Sequence, residues 1–107
     1  MKLLNDNILV TEIVKDLKVG SIVMNQDDST AYMFCKVVCI SDEALDFICK
    51  EYTDKKSNIV YDELNSGELI LIIRRSAKDP FIGNQFFISY KDLRGIITKE
   101  ELESIHE

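Results

Sequence analysis

The chain has 107 residues, with 13 basic and 19 acidic side chains and a formal net charge of −6. That length suits one domain and excludes a large α/β barrel or a two-domain enzyme. The acidic balance argues against a general nucleic-acid binder, which turns a basic face to phosphate.

Read in chain order, the turn-like Asn5-Asp-Asn7 precedes a β-rich run from Asn7 to Val14. Residues 15–30 are polar at both ends and carry one apolar island, Ile22-Val-Met24, behind Gly20-Ser21. They read as a long loop bearing a short sticky segment. Ala31 to Ile40 is the most continuous apolar run of the first half and is expected as a strand. Ser41 then offers an N-cap, and Asp42 and Glu43 suit the positive end of a helix dipole. Leu45, Ile48, Cys49 and Tyr52 recur at helical spacing, so a short amphipathic helix is expected, with a hairpin strand as the rival.

Residues 53–58 read as a polar turn and Ile59-Val-Tyr61 as a short strand. After a turn at Asn65-Ser-Gly67, Glu68 to Ile73 is expected as a fully buried strand ended by Arg74-Arg75. Residues 76–80 form a loop, Asn84 to Tyr90 a strand, and Lys91 to Arg94 a turn-like link. Gly95-Ile-Ile-Thr98 is a last short strand, and Thr98-Lys-Glu-Glu101 is a capping box opening a helix to about Ile105. No repeat interrupts this order. Short strands and turns at close spacing point to a mainly β domain, a small barrel or sandwich.

Enzyme chemistry finds little footing. The sole histidine is His106, near the C-terminus, so Ser/His and Cys/His pairs would depend on a tail residue. P-loop, GxGxxG and HExxH motifs are absent from the sequence. Three cysteines, Cys35, Cys39 and Cys49, give neither a disulfide framework nor a complete zinc set. They read as small buried apolar residues, Cys35 and Cys39 sharing one face of their strand. No catalytic residue, metal or cofactor is expected. Neither is a membrane span, since no apolar run nears roughly 18–20 residues. No long apolar segment precedes Asp6, so a signal peptide is not read and the cytoplasm is the expected compartment.

The order of features resembles the small co-chaperonins of the GroES family. Their opening strand has the form D-R-V-I-V, and here stands Asp6-Asn-Ile-Leu-Val10. Their loop ends in Gly-Gly and three apolar residues, and here stands Gly20-Ser-Ile-Val-Met24. Cys35-Lys-Val-Val-Cys-Ile-Ser41 sits where the family has G-x-V-x-x-V-G, and Ser66-Gly-Glu-Leu-Ile-Leu-Ile72 where it has V-G-D-x-V-x-F. Phe87-Ile-Ser-Tyr-Lys-Asp-Leu-Arg-Gly-Ile96 follows the family's closing segment I-M-S-E-S-D-I-L-A-I. The match spans roughly residues 3–97. The family arginine is Asn7 here, the second loop glycine is Ser21, and the tail after Thr98 is extra. The resemblance implies a GroES-like small β-barrel with a long loop near residues 15–30; the residues depart from it in a partly helical insertion at 41–63, where the family has a roof hairpin, and in a short C-terminal helix.

It also implies a site. Gly20, Ser21, Ile22, Val23 and Met24 would form the partner-binding segment, docking into an apolar groove of a large chaperonin ring. Burying three such side chains stabilises by about 1.5–3 kcal/mol each. Ordering a loop costs about 1–2 kcal/mol per residue fixed. One loop therefore binds weakly, and the family's ring of seven gains by multivalency. Gly20 supplies backbone freedom at the turn. On local pattern alone, Ile22-Val-Met24 reads rather as an ordinary short strand of the barrel, and the resemblance reverses that preference.

A second functional reading is a phage virion protein, a capsid decoration reusing the same barrel. Its partner would be a major capsid protein and its place the virion. Both readings require self-association into a ring or lattice. Other features have plain readings: Arg74-Arg75 as a solvated strand end, Phe86-Phe87 and Tyr90 as core and subunit interface, Lys55-Lys56 as a turn, and Asp27-Asp28 as a loop flank.

Overall fold

Six residues after the chain begins, Asn7–Glu12 form strand β1, buried at Ile8, Leu9 and Val10. In this computed structural model the backbone is described at residues 1–13, 17–19, 22–24 and 31–105, and side chains at 1–13 and 31–104. The remaining strands are β2 (Leu17–Val19), β3 (Ile22–Met24), β4 (Tyr32–Ile40), β5 (Leu69–Arg74), β6 (Asp79–Pro80), β7 (Gln85–Ser89) and β8 (Leu93–Thr98). Three helices accompany them, α1 (Asp42–Tyr52), α2 (Ser57–Ser66) and α3 (Lys99–Ile105).

The main sheet has the strand order β6-β7-β1-β4-β5-β8, and every pairing in it is antiparallel. Its curvature is dictated by one connection. In a flat sheet β7 and β8 would lie about 19 Å apart, four strand spacings. Yet only a 3-10 turn, Tyr90–Asp92, joins them, and such a turn advances about 2 Å per residue. The sheet must curl to bring these strands together. Among the described residues no ladder closes β7 onto β8, so the sheet stays open.

The concave side holds one core. Ile8 and Val10 of β1, Met33, Cys35 and Val37 of β4, Leu69, Leu71 and Ile73 of β5, and Ile88 of β7 meet there. The two helices α1 and α2 complete it with Ala44, Ile48, Val60 and Leu64. Burial alternates along β4 until Val37, then slips, with Ile40 buried and Cys39 half-buried. The cause is a bulge: Leu9 faces Cys39 while Val10 faces Val37, leaving Val38 as the extra residue. One extra residue turns the rest of the strand to the opposite face. The expectation that Cys35 and Cys39 share a face is thereby corrected.

The segment expected as partly helical at 41–63 is a helical hairpin reaching Ser66. Its first helix starts where the cap predicted. Ser41 Oγ accepts from the Ala44 amide at 3.2 Å and donates to the Asn5 carbonyl at 2.6 Å. Its buried line is Ala44 and Ile48, with Leu45 and Cys49 half-buried and Tyr52 exposed, so the inward face is rotated from the Leu45/Ile48/Cys49/Tyr52 stripe. Phe47 stacks on Tyr90 at 4.6 Å between ring centroids and docks α1 on the β7–β8 corner. We expect Ser41→Ala to lower unfolding free energy by about 1–2 kcal/mol, because one substitution removes a cap and an N-terminal tether. Urea unfolding checks this.

Ile59-Val-Tyr61, expected as a strand, lies inside α2 instead. Val60 and Leu64 stand four residues apart and are both fully buried. Burial of that helical pair outweighs the weak strand preference of a β-branched triplet. The helix ends on Gly67 at φ 87°, a left-handed position that a side chain disfavours. The Glu68 amide reaches back to the Glu63 carbonyl at 2.9 Å, the signature of a Schellman cap.

β5 is buried on both faces apart from half-buried Ile72 and exposed Arg74, and the strand expected at Glu68 to Ile73 begins one residue later, with Glu68 exposed. Its outward Ile70 lines a small pocket with Ile13 and Leu102 of α3, so the C-terminal helix shelters the outer face. The predicted capping box is formed: Thr98 Oγ1 accepts from the Glu101 amide, and Glu101 Oε1 accepts from the Thr98 amide. No helix among the described residues is long and apolar enough to cross a membrane.

Candidate partner-binding site

The site expected at residues 20–24 divides in the structure. Ile22, Val23 and Met24 are strand β3. They pair antiparallel with β2 in the register Leu17↔Met24, Lys18↔Val23 and Val19↔Ile22. This two-stranded sheet is separate from the six-stranded one. The expectations for Gly20 and Ser21 lie outside the described residues, as do those for Asp27-Asp28 and His106.

The end of the main sheet that carries this hairpin is built from the stems and the strands beside them. On the outgoing stem, the Ile13 amide donates to the Phe34 carbonyl at 2.8 Å. On the returning stem, the Ala31 carbonyl accepts from the Arg75 amide at 2.7 Å. One guanidinium nitrogen of Arg75 donates to both carboxylate oxygens of Glu12, at 3.2 and 3.1 Å. Its second nitrogen lies 3.5 Å from the Tyr32 carbonyl. The Glu12 and Arg75 side chains are only 9% and 16% exposed, so water screens the pair weakly. Arg75 is thus a half-buried partner of Glu12, and the plain reading as a solvated strand end holds only for exposed Arg74.

The same end presents apolar surface. Ile82 is 64% exposed at the tip between β6 and β7, and Phe81 and Tyr32 are partly exposed. Phe81 packs on Phe87 in a tilted pair, with ring centroids 4.8 Å apart, and Lys78 Nζ lies 4.7 Å above the Phe86 ring. The Thr11 hydroxyl donates to the Asn84 carbonyl at 3.4 Å, placing this tip beside the outgoing stem. Phe86 and Tyr90 pack against the core as expected, whereas Phe87 turns outward to Phe81.

The shifted thiols are poor nucleophiles. Burial, followed by the Glu12 carboxylate, pushes the Cys35 thiol up to about 12, so it stays protonated at neutral pH. Burial, with Asp46 nearby, also raises Cys49. All three cysteines are free thiols. Among the described residues no three His, Cys, Asp or Glu side chains gather to hold a metal ion.

At the opposite end of β1, the Ser89 hydroxyl donates to Asp6 Oδ2 at 2.6 Å, and the Asp6 carbonyl accepts from the Tyr90 amide. The Ser89 bond chiefly holds the Asp6 carboxyl below its ordinary value. A depressed native pKa stabilises the fold above the unfolded value, and that contribution is lost as pH falls through the native one. We expect an NMR titration to place Asp6 below the usual carboxylate range, and Ser89→Ala to return it toward that range.

Two features of this site escaped the sequence. Arg75 and Glu12 stand 63 residues apart, and no local pattern joins them. The Phe81-Ile82 tip carried a signal, two large apolar residues after Pro80, within a stretch otherwise polar. No protein-family model matches the chain, and no curated protein and no solved structure matches it.

Proposed function

We propose that the chain is a divergent co-chaperonin of the GroES type, a ring subunit that caps a chaperonin folding chamber and does no chemistry of its own. The observation that carries this reading is the placement of Ile22-Val-Met24. The tripeptide lies on a hairpin that shares no ladder with the six-stranded sheet among the described residues. A strand serving the core would join that sheet; a recognition element is set apart from it. The curled antiparallel sheet is read as the GroES-like barrel. The helical hairpin α1–α2 is read as taking the position of the family's roof.

Self-association has a natural route. β8 is a six-residue edge strand of the main sheet, and β6 at the other edge is only two residues long. An open edge offers its amides and carbonyls to a neighbour. Head-to-tail contacts between unlike edges generate a ring when the rotation closes. Each copy adds a net charge of −6, so the assembled surface is strongly acidic.

The test is co-elution with a chaperonin ring on size-exclusion chromatography, with and without nucleotide. Nucleotide-dependent co-elution supports the lid, and absence of any complex overturns it. The capsid-decoration reading is separated by mass spectrometry of purified virions, where a stoichiometric presence speaks for decoration.

A further inference from the structure

We infer that Arg75 is a positioning residue for partner docking, a clamp that ties both stems of the β2–β3 hairpin to the main sheet at once. The inference rests on the reading of that hairpin as the docking element, and its first readout is independent of any partner.

The outgoing stem includes Glu12, whose carboxylate receives two hydrogen bonds from one Arg75 nitrogen. The returning stem begins at Ala31, whose carbonyl receives the Arg75 amide. The guanidinium also reaches the Tyr32 carbonyl. Arg75 itself sits in a 3-10 turn directly after β5, and β5 is held between β4 and β8. One residue anchored in the sheet therefore contacts both sides of the segment that presents Ile22-Val-Met24. The next ladder outward, Ile13 on Phe34, depends on the same two stems keeping their spacing.

A docking element whose stems hold one spacing has fewer conformations to lose on binding, and binding strength rises with the fraction of molecules already in the competent arrangement. The charge pair supplies that order at low exposure, where it is not screened away. Its contribution is to presentation; contact with the partner belongs to the hairpin.

The experiment uses the full chain with Arg75→Ala and Arg75→Lys, and Ile48→Ala, on α1, as a variant destabilised in the core away from the stems. Amide hydrogen exchange is read at Ile13 and at Tyr32 to Phe34, against Ile8 and Leu9. Affinity for a chaperonin ring is then measured. The expected result for Arg75→Ala is about tenfold faster exchange at the stems with little change at Ile8 and Leu9, and about tenfold weaker chaperonin binding. Arg75→Lys, which keeps a cationic nitrogen for Glu12, recovers part of both. Ile48→Ala lowers global stability and leaves affinity intact. Stem exchange unchanged in Arg75→Ala, or affinity lost equally in Ile48→Ala, overturns the clamp. If Arg75→Ala does not fold, Glu12→Leu/Arg75→Met removes both charges and serves in its place. Failure of the unaltered chain to bind a chaperonin would overturn the functional reading alone, and the exchange data would still decide the clamp.

Discussion

On the co-chaperonin reading, replacing Ile22, Val23 and Met24 together with alanine is expected to abolish association with a chaperonin ring and to leave the fold intact. Each truncation removes roughly 1–2 kcal/mol of apolar burial at the groove. Three of them weaken one loop by about 100- to 10,000-fold, since 1.4 kcal/mol is tenfold. Because single loops bind weakly and the assembly depends on many engaging together, the loss compounds across the ring. Stability is spared because β3 pairs with β2 and not with the six-stranded sheet. The unfolding free energy is therefore expected to change by less than about 0.5 kcal/mol. Surface plasmon resonance on an immobilised chaperonin, paired with thermal unfolding, checks both halves. A triple variant that binds normally removes the tripeptide from the mechanism.

Leu64→Ala is the substitution expected to damage the fold most. Leu64 is fully buried on α2 and belongs to the core formed with β1, β4 and β5. Truncating such a leucine costs about 2–5 kcal/mol, the lost transfer energy plus the cavity left behind. A domain of this size has a total stability of about 5–15 kcal/mol, so the loss is a large share. Ile59, exposed on the same helix, provides the contrast, since Ile59→Ala is expected to change stability by less than about 0.5 kcal/mol. Urea unfolding at fixed protein concentration measures both, as an assembling subunit gains apparent stability from its neighbours. Equal effects at the two positions would mean that the helical hairpin lies on the sheet without completing its core.

The elements that sequence makes legible are those whose local signals agree. Ser41 with Asp42 and Glu43 marks a helix start, and α1 begins there. Thr98 and Glu101 mark another, and α3 begins between them. The apolar run Ala31 to Ile40 is β4 save its first residue. Local signals mislead where tertiary burial decides. Ile59-Val-Tyr61 has the composition of a strand, yet only a helix places Val60 and Leu64 together in the core. The bulge at Val38 leaves no trace in composition, so the parity of Cys39 is hidden from a strand count.

The candidate site is legible in part for the same reason. Ile22-Val-Met24 stands out as an apolar island in a polar stretch. Its partner strand does not, because Leu17-Lys-Val19 has a charge at its centre. Two apolar-bearing triplets flanking Gly20-Ser21 are nonetheless a hairpin signal. The anchoring of the stems by Arg75 is beyond reach, since it joins residues distant in sequence through a curl that no local pattern encodes.

The symmetry of the assembly tests the central claim most directly. Electron microscopy of the chain mixed with a chaperonin and nucleotide, with class averages viewed end-on, reads it in one experiment. The lid reading predicts a ring of seven copies seated on the mouth of the chaperonin, with the β2–β3 hairpins turned toward the chamber rim. Copies found instead at three-fold, five-fold or six-fold positions of a capsid lattice, with the chaperonin mouths bare, would contradict it.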